Sequence, residues 1–177
     1  MAAQYLESTT RRPDNETNVD VQLQEPSLAD GPDLWRIARD SRVLDVNSPY
    51  SYTLWCRDFA GTSVVAHDGG AACGFITGYA RPSRPDTLFV WQVAVDEAHR
   101  GQGLARRMLD WLAARGHRFM EATVTPGNTA STAMFESFAR DQGCELSRSP
   151  LFGAEHFPEG GHEPEVLFRI GPLSTAD

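Results

Sequence analysis

Two periodicities of hydrophobic residues run along the chain, and together they predict alternating strands and helices. Residues 19–23 alternate apolar and polar side chains as a half-buried strand does, so ordered structure is expected to begin at Val19. Residues 88–95 are apolar on both faces, which predicts a strand at the centre of a sheet. Residues 103–115 place apolar side chains three or four positions apart, which is typical of a helix, and Gly116 is expected to end it.

The same patterns locate the remaining elements. Further strands are expected over residues 62–66, 72–79, 119–124, 144–147 and 166–170. Further helices are expected up to residue 40, over residues 50–58 with Ser48 as the N-cap, and over residues 129–141. Residues 67–70 predict a turn, and the two prolines within residues 81–86 predict a loop.

Taken in order, these elements predict one α/β domain with a mixed sheet, antiparallel in its front half and parallel at its centre. The domain is expected to span residues 19–172, with a disordered tail over residues 1–18 and a short tail over residues 173–177. The side chains expected to face inward on the second and the last helix are Leu54, Trp55, Ala133, Met134 and Phe138.

Composition and charge exclude several classes of protein. The 177 residues carry 16 Lys and Arg against 24 Asp and Glu, a formal charge of −8, which disfavours binding to nucleic acid. No apolar run is long enough for a membrane span and the first residues lack the apolar core of a signal peptide, so we expect a cytoplasmic protein. Cys56, Cys73 and Cys144 lack metal-site spacing, which predicts reduced, buried thiols and no bound metal.

A candidate anion-binding loop follows the central strand, at residues 100–105. Small residues there let the backbone approach an anion closely, and the first free N–H groups of the next helix point towards it. The alternative is a tight strand-to-helix turn that needs glycine for its conformation alone. The glycines match neither the P-loop nor the dinucleotide-binding spacing.

The central strand is followed by Arg100-x-x-Gly103-x-Ala105, a helix, a further strand and Asn128-x-x-Ser131. This order of features resembles the GNAT acetyltransferase superfamily over roughly residues 19–170. The resemblance implies a mixed sheet of about seven strands flanked by about four helices, with acetyl-CoA as the co-substrate. It also implies that a backbone N–H, most directly that of Val93, polarises the thioester oxygen. The residues that it assigns to binding of acetyl-CoA are Val93, Val95, Arg100, Gly101, Gln102, Gly103, Leu104, Ala105, Asn128 and Ser131.

Five further segments resemble the L-2,4-diaminobutyrate acetyltransferases of ectoine biosynthesis. They are LDVNSPYSY at 44–52, WCRDF at 55–59, VWQVAV at 90–95, TPGNTAS at 125–131 and HEPE at 162–165. This resemblance implies acetyl transfer to the γ (4-) amine of L-2,4-diaminobutyrate, and a homodimer. Two alternatives stay open: an acetyltransferase for another small amine or a protein amine, and a non-catalytic module that binds acyl-CoA.

The reaction requires particular groups. The acceptor amine resembles that of lysine, so a selective site should offer carboxylates for ammonium groups and a donor for the substrate carboxylate. Asp45 is expected to form a salt bridge with a substrate ammonium, or else to be a solvated loop residue. Trp91 is expected to line the aliphatic part of the substrate or to lie in the core, and Tyr50 to donate to the carboxylate or to sit on a helix face. One of Glu163 and Glu165 is expected to complete the carboxylate set or to relay the proton through water; the alternative is that they form an exposed acidic pair.

The groups expected to act in catalysis are thus Asp45, Trp91, Glu165 and the backbone of Val93. His162 is a weaker candidate base. Many members of the superfamily place a proton-donating Tyr seven residues after the helix Asn, whereas Phe135 stands there and cannot donate, so no general acid is assigned. Arg106 and Arg107 either contact a phosphate of CoA or form a solvated helix face.

Overall fold

Seven strands form one mixed sheet in the computed structural model, which describes residues 21–158 and 162–174. The predicted tail over residues 1–18 and the expected start at Val19 lie outside the described residues. The order in the sheet is β1-β2-β3-β4-β5-β7-β6, and only β4 and β5 pair in parallel among the described strands. The strands are β1 Gln22–Gln24, β2 Val64–Asp68, β3 Ala71–Arg81, β4 Arg84–Val95, β5 Phe119–Val124, β6 Leu146–Phe152 and β7 Glu165–Ile170.

Four α-helices cover the two faces of the described sheet, as predicted for a mixed α/β domain. Buried residues of α1 and α2 form one core cluster with Phe75 of β3, and buried residues of α3 and α4 form the other with the opposite sheet face. Ser48 caps α2, since its side chain accepts a hydrogen bond from the N–H of Ser51, and Pro49 occupies the first helical position. The helices are α1 Gly31–Ser41, α2 Pro49–Asp58, α3 Leu104–Ala113 and α4 Thr129–Asp141.

Several boundaries differ from the expectations; β2, for example, spans Val64–Asp68 rather than 62–66. Two of the differences arise because proline tolerates a strand position where no N–H is needed. Residues 81–86 are not a loop: β3 continues to Arg81 and β4 begins at Arg84, so only Pro82 and Ser83 connect them. The last but one strand runs over Leu146–Phe152 rather than 144–147, with Pro150 in an edge strand that pairs with β7 alone. The first hairpin turn is Gly69-Gly70, because residues 67–68 already pair with β3.

The expected inward faces of two helices were partly wrong. Helix α2 buries Tyr52 and Cys56, whereas Leu54 and Trp55 are only half-buried. Tyr52 meets the ring of Phe75 edge-on, which places that face of α2 against the sheet. The exposed part of Trp55 lies in a pocket described below.

Helix α4 and the chain end also correct the expectations. Phe138 is buried as predicted and Met134 is half-buried, but Ala133 is exposed and Phe135 is buried instead. Leu173, assigned above to a tail, is buried, and its N–H donates to the carbonyl of Arg118 (2.8 Å). It therefore contributes to the core.

Two of the three cysteines are buried, as predicted. Cys56 and Cys73 are buried and Cys144 is half-buried, and all three are free. Burial raises the pKa of the Cys56 thiol to about 11, so this thiol is protonated and inert at neutral pH.

Strand β4 carries an extra residue and then separates from its neighbour β5. Thr77 pairs with Gln92 and Gly78 with Val90, so Trp91 is the bulged residue. The parallel pairing of β4 with β5 extends only to Val90 and its partner Ala122. Beyond this level the two strands diverge and leave a gap in the sheet, called the split below.

The turn before α1 contains a buried carboxylate whose hydrogen bonds should stabilise the fold. Asp30 accepts hydrogen bonds from the N–H (2.7 Å) and hydroxyl (2.8 Å) of Ser27, and its other oxygen lies 2.8 Å from Nε2 of His67 on β2. Burial by itself raises the pKa of Asp30, but the hydrogen bonds from Ser27 and the contact with His67 outweigh burial and hold the pKa below its ordinary value of 3.8.

We expect Asp30→Asn to lower the free energy of unfolding at pH 7 by about 1–3 kcal/mol. Because the pKa is depressed in the folded state, this contribution is present above pH 3.8 and is lost as the pH falls through the folded pKa. Urea unfolding of both proteins as a function of pH measures it. Asp33→Asn, which changes a half-exposed carboxylate paired with Arg36 three residues away, should have a smaller effect; equal effects of the two would contradict the assignment.

Candidate active site at the split of the sheet

Two cavities lie at the split. The first, about 1070 Å³ and called the cleft below, is formed by the end of β4, the following loop and the first turns of α3 and α4. The second, about 730 Å³ and called the pocket below, is formed by α2, strands β3 to β7 and residues 45, 157 and 162. Both volumes are in the range of, or near, small-molecule sites.

The loop between β4 and α3 curves around one end of the cleft. Gly101 and Gly103 adopt left-handed conformations with φ of 75° and 73°, which glycine tolerates best. Helix α3 begins directly after Gly103, whose carbonyl accepts the N–H of Arg107. The N–H groups of Leu104 and Ala105 therefore precede the first intrahelical hydrogen bond and remain free for an anion.

The backbone of β4 turns further donors into the split. Asp96 donates its N–H to the carbonyl of Cys73 on β3 (2.8 Å). Because N–H groups point alternately to the two edges of a strand, those of Val95 and Val93 point away from β3. Pairing with β5 has already ended at this level, so both groups face the gap.

The cleft gathers all the residues assigned to acetyl-CoA except one. Val93, Val95, residues 100, 101 and 103–105, Asn128 and Ser131 line it, while Gln102 is exposed and donates to the carbonyl of Ala98. Asn128 caps α4 by accepting the N–H of Ser131 (3.0 Å), which holds this helix end at the cleft.

The two arginines that follow the loop are engaged within the protein. Arg106 lines the cleft but forms ion pairs with Asp110 and Asp141. Arg107 donates to the carbonyl of Val21 (2.8 Å). These contacts occupy both side chains, which agrees better with a structural role than with recognition of a CoA phosphate.

An aromatic wall forms one side of the pocket. Trp91, the bulged residue of β4, is 44% exposed, so it is not a core residue. Its ring centroid lies 4.1 Å from that of Trp55 on α2, which in turn lies 4.9 Å from that of Phe59. Such a wall suits an alkyl chain.

Acidic groups and a histidine form the mouth of the pocket. Nε2 of His162 lies 3.6 Å from Oε1 of Glu165 and 3.8 Å from Oδ2 of Asp45. The other oxygen of Glu165 is buried and has no hydrogen-bond partner within residues 21–158 and 162–174, whereas the Asp45 side chain is 97% exposed. The ring of His162 stacks on Phe157 at 3.8 Å. Glu165 is therefore the more enclosed of the two carboxylates beside His162.

The loop that carries Asp45 is attached to β4. Gln92 donates from Nε2 to the carbonyl of Asp45 (2.9 Å) and accepts the hydroxyl hydrogen of Tyr52 (3.1 Å). Gln92 is buried, and it faces α2 because the bulge at Trp91 precedes it. The central strand thus fixes one wall of the mouth.

Two charged residues line the end of the pocket that lies away from the split, called the floor below, and were not identified from the sequence. Glu121 of β5 is 1% exposed and accepts from Arg81 of β3 (2.7 Å) and from Arg169 of β7. Arg81 and Glu121 both line the pocket. A glutamate inside an otherwise apolar strand is the signal that could have indicated this cluster, since lone buried charges need partners.

Three other residues singled out from the sequence lie elsewhere. Tyr50 is 69% exposed on α2 and does not line the pocket. Glu163 accepts the N–H of Gly127 (3.3 Å) beside the cleft rather than joining Glu165. Phe135 is buried against Phe168, so the position cannot supply a proton donor.

None of the described helices is both long and apolar enough to cross a membrane. Across residues 21–158 and 162–174, His, Cys, Asp and Glu form no group of three or more that could hold a metal ion.

The fold and the site define a class of protein. Residues 31–139 match the family model described as acetyltransferase (GNAT) family. The chain belongs to this family. Within the family, it groups with the L-2,4-diaminobutyric acid acetyltransferases.

The protein is 59% identical over 162 residues to the L-2,4-diaminobutyric acid acetyltransferase of Streptomyces coelicolor, covering 88% of this chain and 95% of the relative. It is 41% identical over 158 residues to the enzyme of that name from Marinococcus halophilus, covering 87% and 91%. The structure of diaminobutyrate acetyltransferase EctA from Paenibacillus lautus, in complex with its substrate L-2,4-diaminobutyric acid and coenzyme A, superposes with a TM-score of 0.84 at 41% identity. The match covers 90% of this chain and 99% of that one.

The loop conformation predicts how coenzyme A affinity responds to substitution. We expect Gly103→Ala to raise the Kd for coenzyme A by about 3- to 10-fold, because alanine resists the left-handed conformation by about 1 kcal/mol. No atom lies within 4 Å of the added Cβ, so backbone strain is the only cost. Gly116→Ala is the matched control, since Gly116 has φ of 85° and similar open space at the far end of α3. Calorimetric titration should show unchanged affinity there; equal losses in both would count against the loop.

Proposed function

We propose that this protein transfers the acetyl group of acetyl-CoA to the γ (4-) amine of L-2,4-diaminobutyrate, giving N4-acetyl-L-2,4-diaminobutyrate in ectoine biosynthesis. Membership of the family supports this reaction, and so does the division of labour between the cavities. The cleft supplies free backbone N–H groups for a diphosphate, and the pocket supplies carboxylates for ammonium groups.

The observation that carries the proposal is the meeting of the cleft and the pocket at the split. Val93 lines the cleft and Trp91, two residues before it, lines the pocket. On β5 and beyond, Thr123 lines the pocket and Thr125 the cleft. A thioester in the cleft and an amine in the pocket therefore approach each other through the same gap.

The acceptor amine must lose its proton before it attacks. With an ordinary pKa near 10.4, only about one molecule in a thousand is neutral at pH 7.4, which costs about 4 kcal/mol. Glu165 lines the pocket, and we assign its carboxylate to holding the ammonium and accepting its proton, directly or through water. Asp45, at 97% side-chain exposure, attracts the cation at the mouth but is screened by water.

The carbonyl side of the reaction uses the backbone. The N–H of Val93 faces the gap and can donate to the thioester oxygen as negative charge develops there. Since Phe135 is buried in the core, no side chain at that position protonates the departing thiolate. A thiol pKa near 8.5 makes the thiolate an adequate leaving group without an acid.

The size of the pocket favours a small amine over a protein amine. Its volume of about 730 Å³ suits a small molecule, and Phe152 and Phe157 form its outer wall. We also propose that the enzyme acts in the cytoplasm as a homodimer; the exposed residues Leu151 and Phe152 on the edge strand β6 support a partner on that side.

The first test is the consumption of acetyl-CoA with and without L-2,4-diaminobutyrate, followed by chromatography of free coenzyme A. We expect turnover that depends on the diamine, with nuclear magnetic resonance placing the acetyl group on the 4-amine. An N-terminal peptide and free lysine serve as alternative acceptors. Faster acetylation of the peptide would indicate a protein acetyltransferase, and binding of acetyl-CoA without turnover on any amine would indicate a non-catalytic module.

The second test concerns the carboxylates at the mouth. Asp45→Ala/Glu165→Ala should raise the KM for diaminobutyrate by about 10-fold or more, because two ammonium partners are lost, while the Kd for acetyl-CoA stays within about 2-fold. The control, Asp58→Ala/Glu155→Ala, removes two exposed carboxylates that line neither cavity. Loss of both affinities in the first variant would contradict the assignment.

A further inference from the structure

We propose that Arg81 binds the α-carboxylate of the amino-acid substrate and makes the enzyme selective for diamines that carry a carboxylate. This inference rests on the proposed function. It assigns a role to the floor of the pocket, where Arg81, Glu121 and Arg169 meet.

The cluster at the floor carries an excess positive charge. Glu121 is 1% exposed and needs a cationic partner, which Arg169 on the neighbouring strand β7 already provides. Arg81 adds a second guanidinium, so the three side chains carry a net charge of about +1 at the end of a cavity. An excess positive charge in a partly buried place is stabilised by an anion from outside the cluster.

Arg81 has N–H groups to spare for a ligand, counted over the described residues. Its Nη1 donates to Glu121, and its other nitrogens make no hydrogen bond within the part of the chain that the structure describes. The side chain is 33% exposed and lines the pocket. A guanidinium with a free edge presents two parallel N–H groups, which match the two oxygens of a carboxylate. Arg169 is less suited, since it lies over the ring of Phe119 at 3.9 Å and does not line the pocket.

The distance between the floor and the split fits the length of the substrate. Glu121 is level with Phe89, and the gap opens beyond Val90, so the floor lies roughly two residues, or about 7 Å, below the level of Thr123. Four bonds separate the carboxyl carbon of L-2,4-diaminobutyrate from its γ nitrogen, a span of about 5 Å when extended. A substrate whose γ-amine reaches the split thus directs its carboxylate towards Arg81.

The arrangement also sorts the charges of the substrate. Carboxylates stand at the mouth, where Asp45 and Glu165 meet His162, and the excess positive charge stands at the floor. A zwitterionic diamine that enters in the opposite direction would place its carboxylate against Glu165 and an ammonium against Arg81. This contact of like charges disfavours the reversed orientation.

The test compares L-2,4-diaminobutyrate with 1,3-diaminopropane, the same diamine without its carboxylate. In the unmodified enzyme we expect kcat/KM to favour diaminobutyrate by about 10- to 100-fold, as for one charge-assisted hydrogen-bond pair. Arg81→Gln should lower kcat/KM for diaminobutyrate by about that factor and leave kcat/KM for 1,3-diaminopropane within about 3-fold, so that the preference is lost.

Two controls separate binding from folding. Arg84→Gln removes the same charge from the exposed partner of Arg81 across the hairpin and should keep the preference. If Arg81→Gln fails to fold, Arg81→Lys retains a cation for Glu121 but not the paired donors, and it should lower the preference by several-fold.

Equal losses with both diamines, or an unchanged preference in the folded Arg81 variant, would overturn the inference while leaving acetylation of diaminobutyrate by the unmodified enzyme in place. If the unmodified enzyme does not acetylate diaminobutyrate at all, the proposed function fails, and the role of Arg81 fails with it.

Discussion

The point at which β4 and β5 stop pairing determines where chemistry can take place in this protein. A closed ladder would satisfy the N–H groups of Val93 and Val95 within the sheet, and neither would reach a ligand. Because the ladder ends at Val90 and Ala122, these donors are exposed in a gap that both faces of the sheet share. The cleft, the pocket, the free end of α3 and the bulge all lie around the point where this pairing ends.

Electrostatics acts at two different ranges here. The formal charge of −8 favours the approach of a substrate that carries two ammonium groups and one carboxylate, but it opposes the approach of a polyanionic co-substrate. At cellular salt such long-range effects are screened beyond about 8–10 Å. Short-range donors in the loop around Gly101 and Gly103 therefore provide the compensation, since backbone N–H groups attract phosphate without adding a basic side chain.

The sequence predicts what depends on local pattern, and it fails where strands distant in the chain meet. The bounds of β5 and α4 coincide with the expected ones, because long runs of regular spacing and an Asn cap mark them. The loop beyond β4 was also predictable as a strand-to-helix turn, since Gly101 and Gly103 adopt left-handed conformations that favour glycine. The floor was not: Arg81 and Arg169 lie 40 and 48 residues from Glu121, and only the strand order brings them together. Trp55 was misplaced for the same reason, because its contact with Trp91 joins α2 to β4.

The bulge at Trp91 decides which face of the sheet each later residue of β4 meets. In a regular strand Val90 and Ala94 would share a face, but Val90 faces α3 and Ala94 faces α1. The extra residue therefore places every later residue of β4 on the face opposite to the one that strict alternation from Val90 would give. Deleting Trp91 would make Val90 and Gln92 consecutive opposite Gly78 and Thr77, so Gln92 and Val93 would keep their present faces and the pocket would lose only the indole. The strand can therefore lose one residue at this point without a change of register, whereas the loss of a second would carry Val93 and Val95 to the opposite face. The Pro82-Ser83 connection has no such counting constraint.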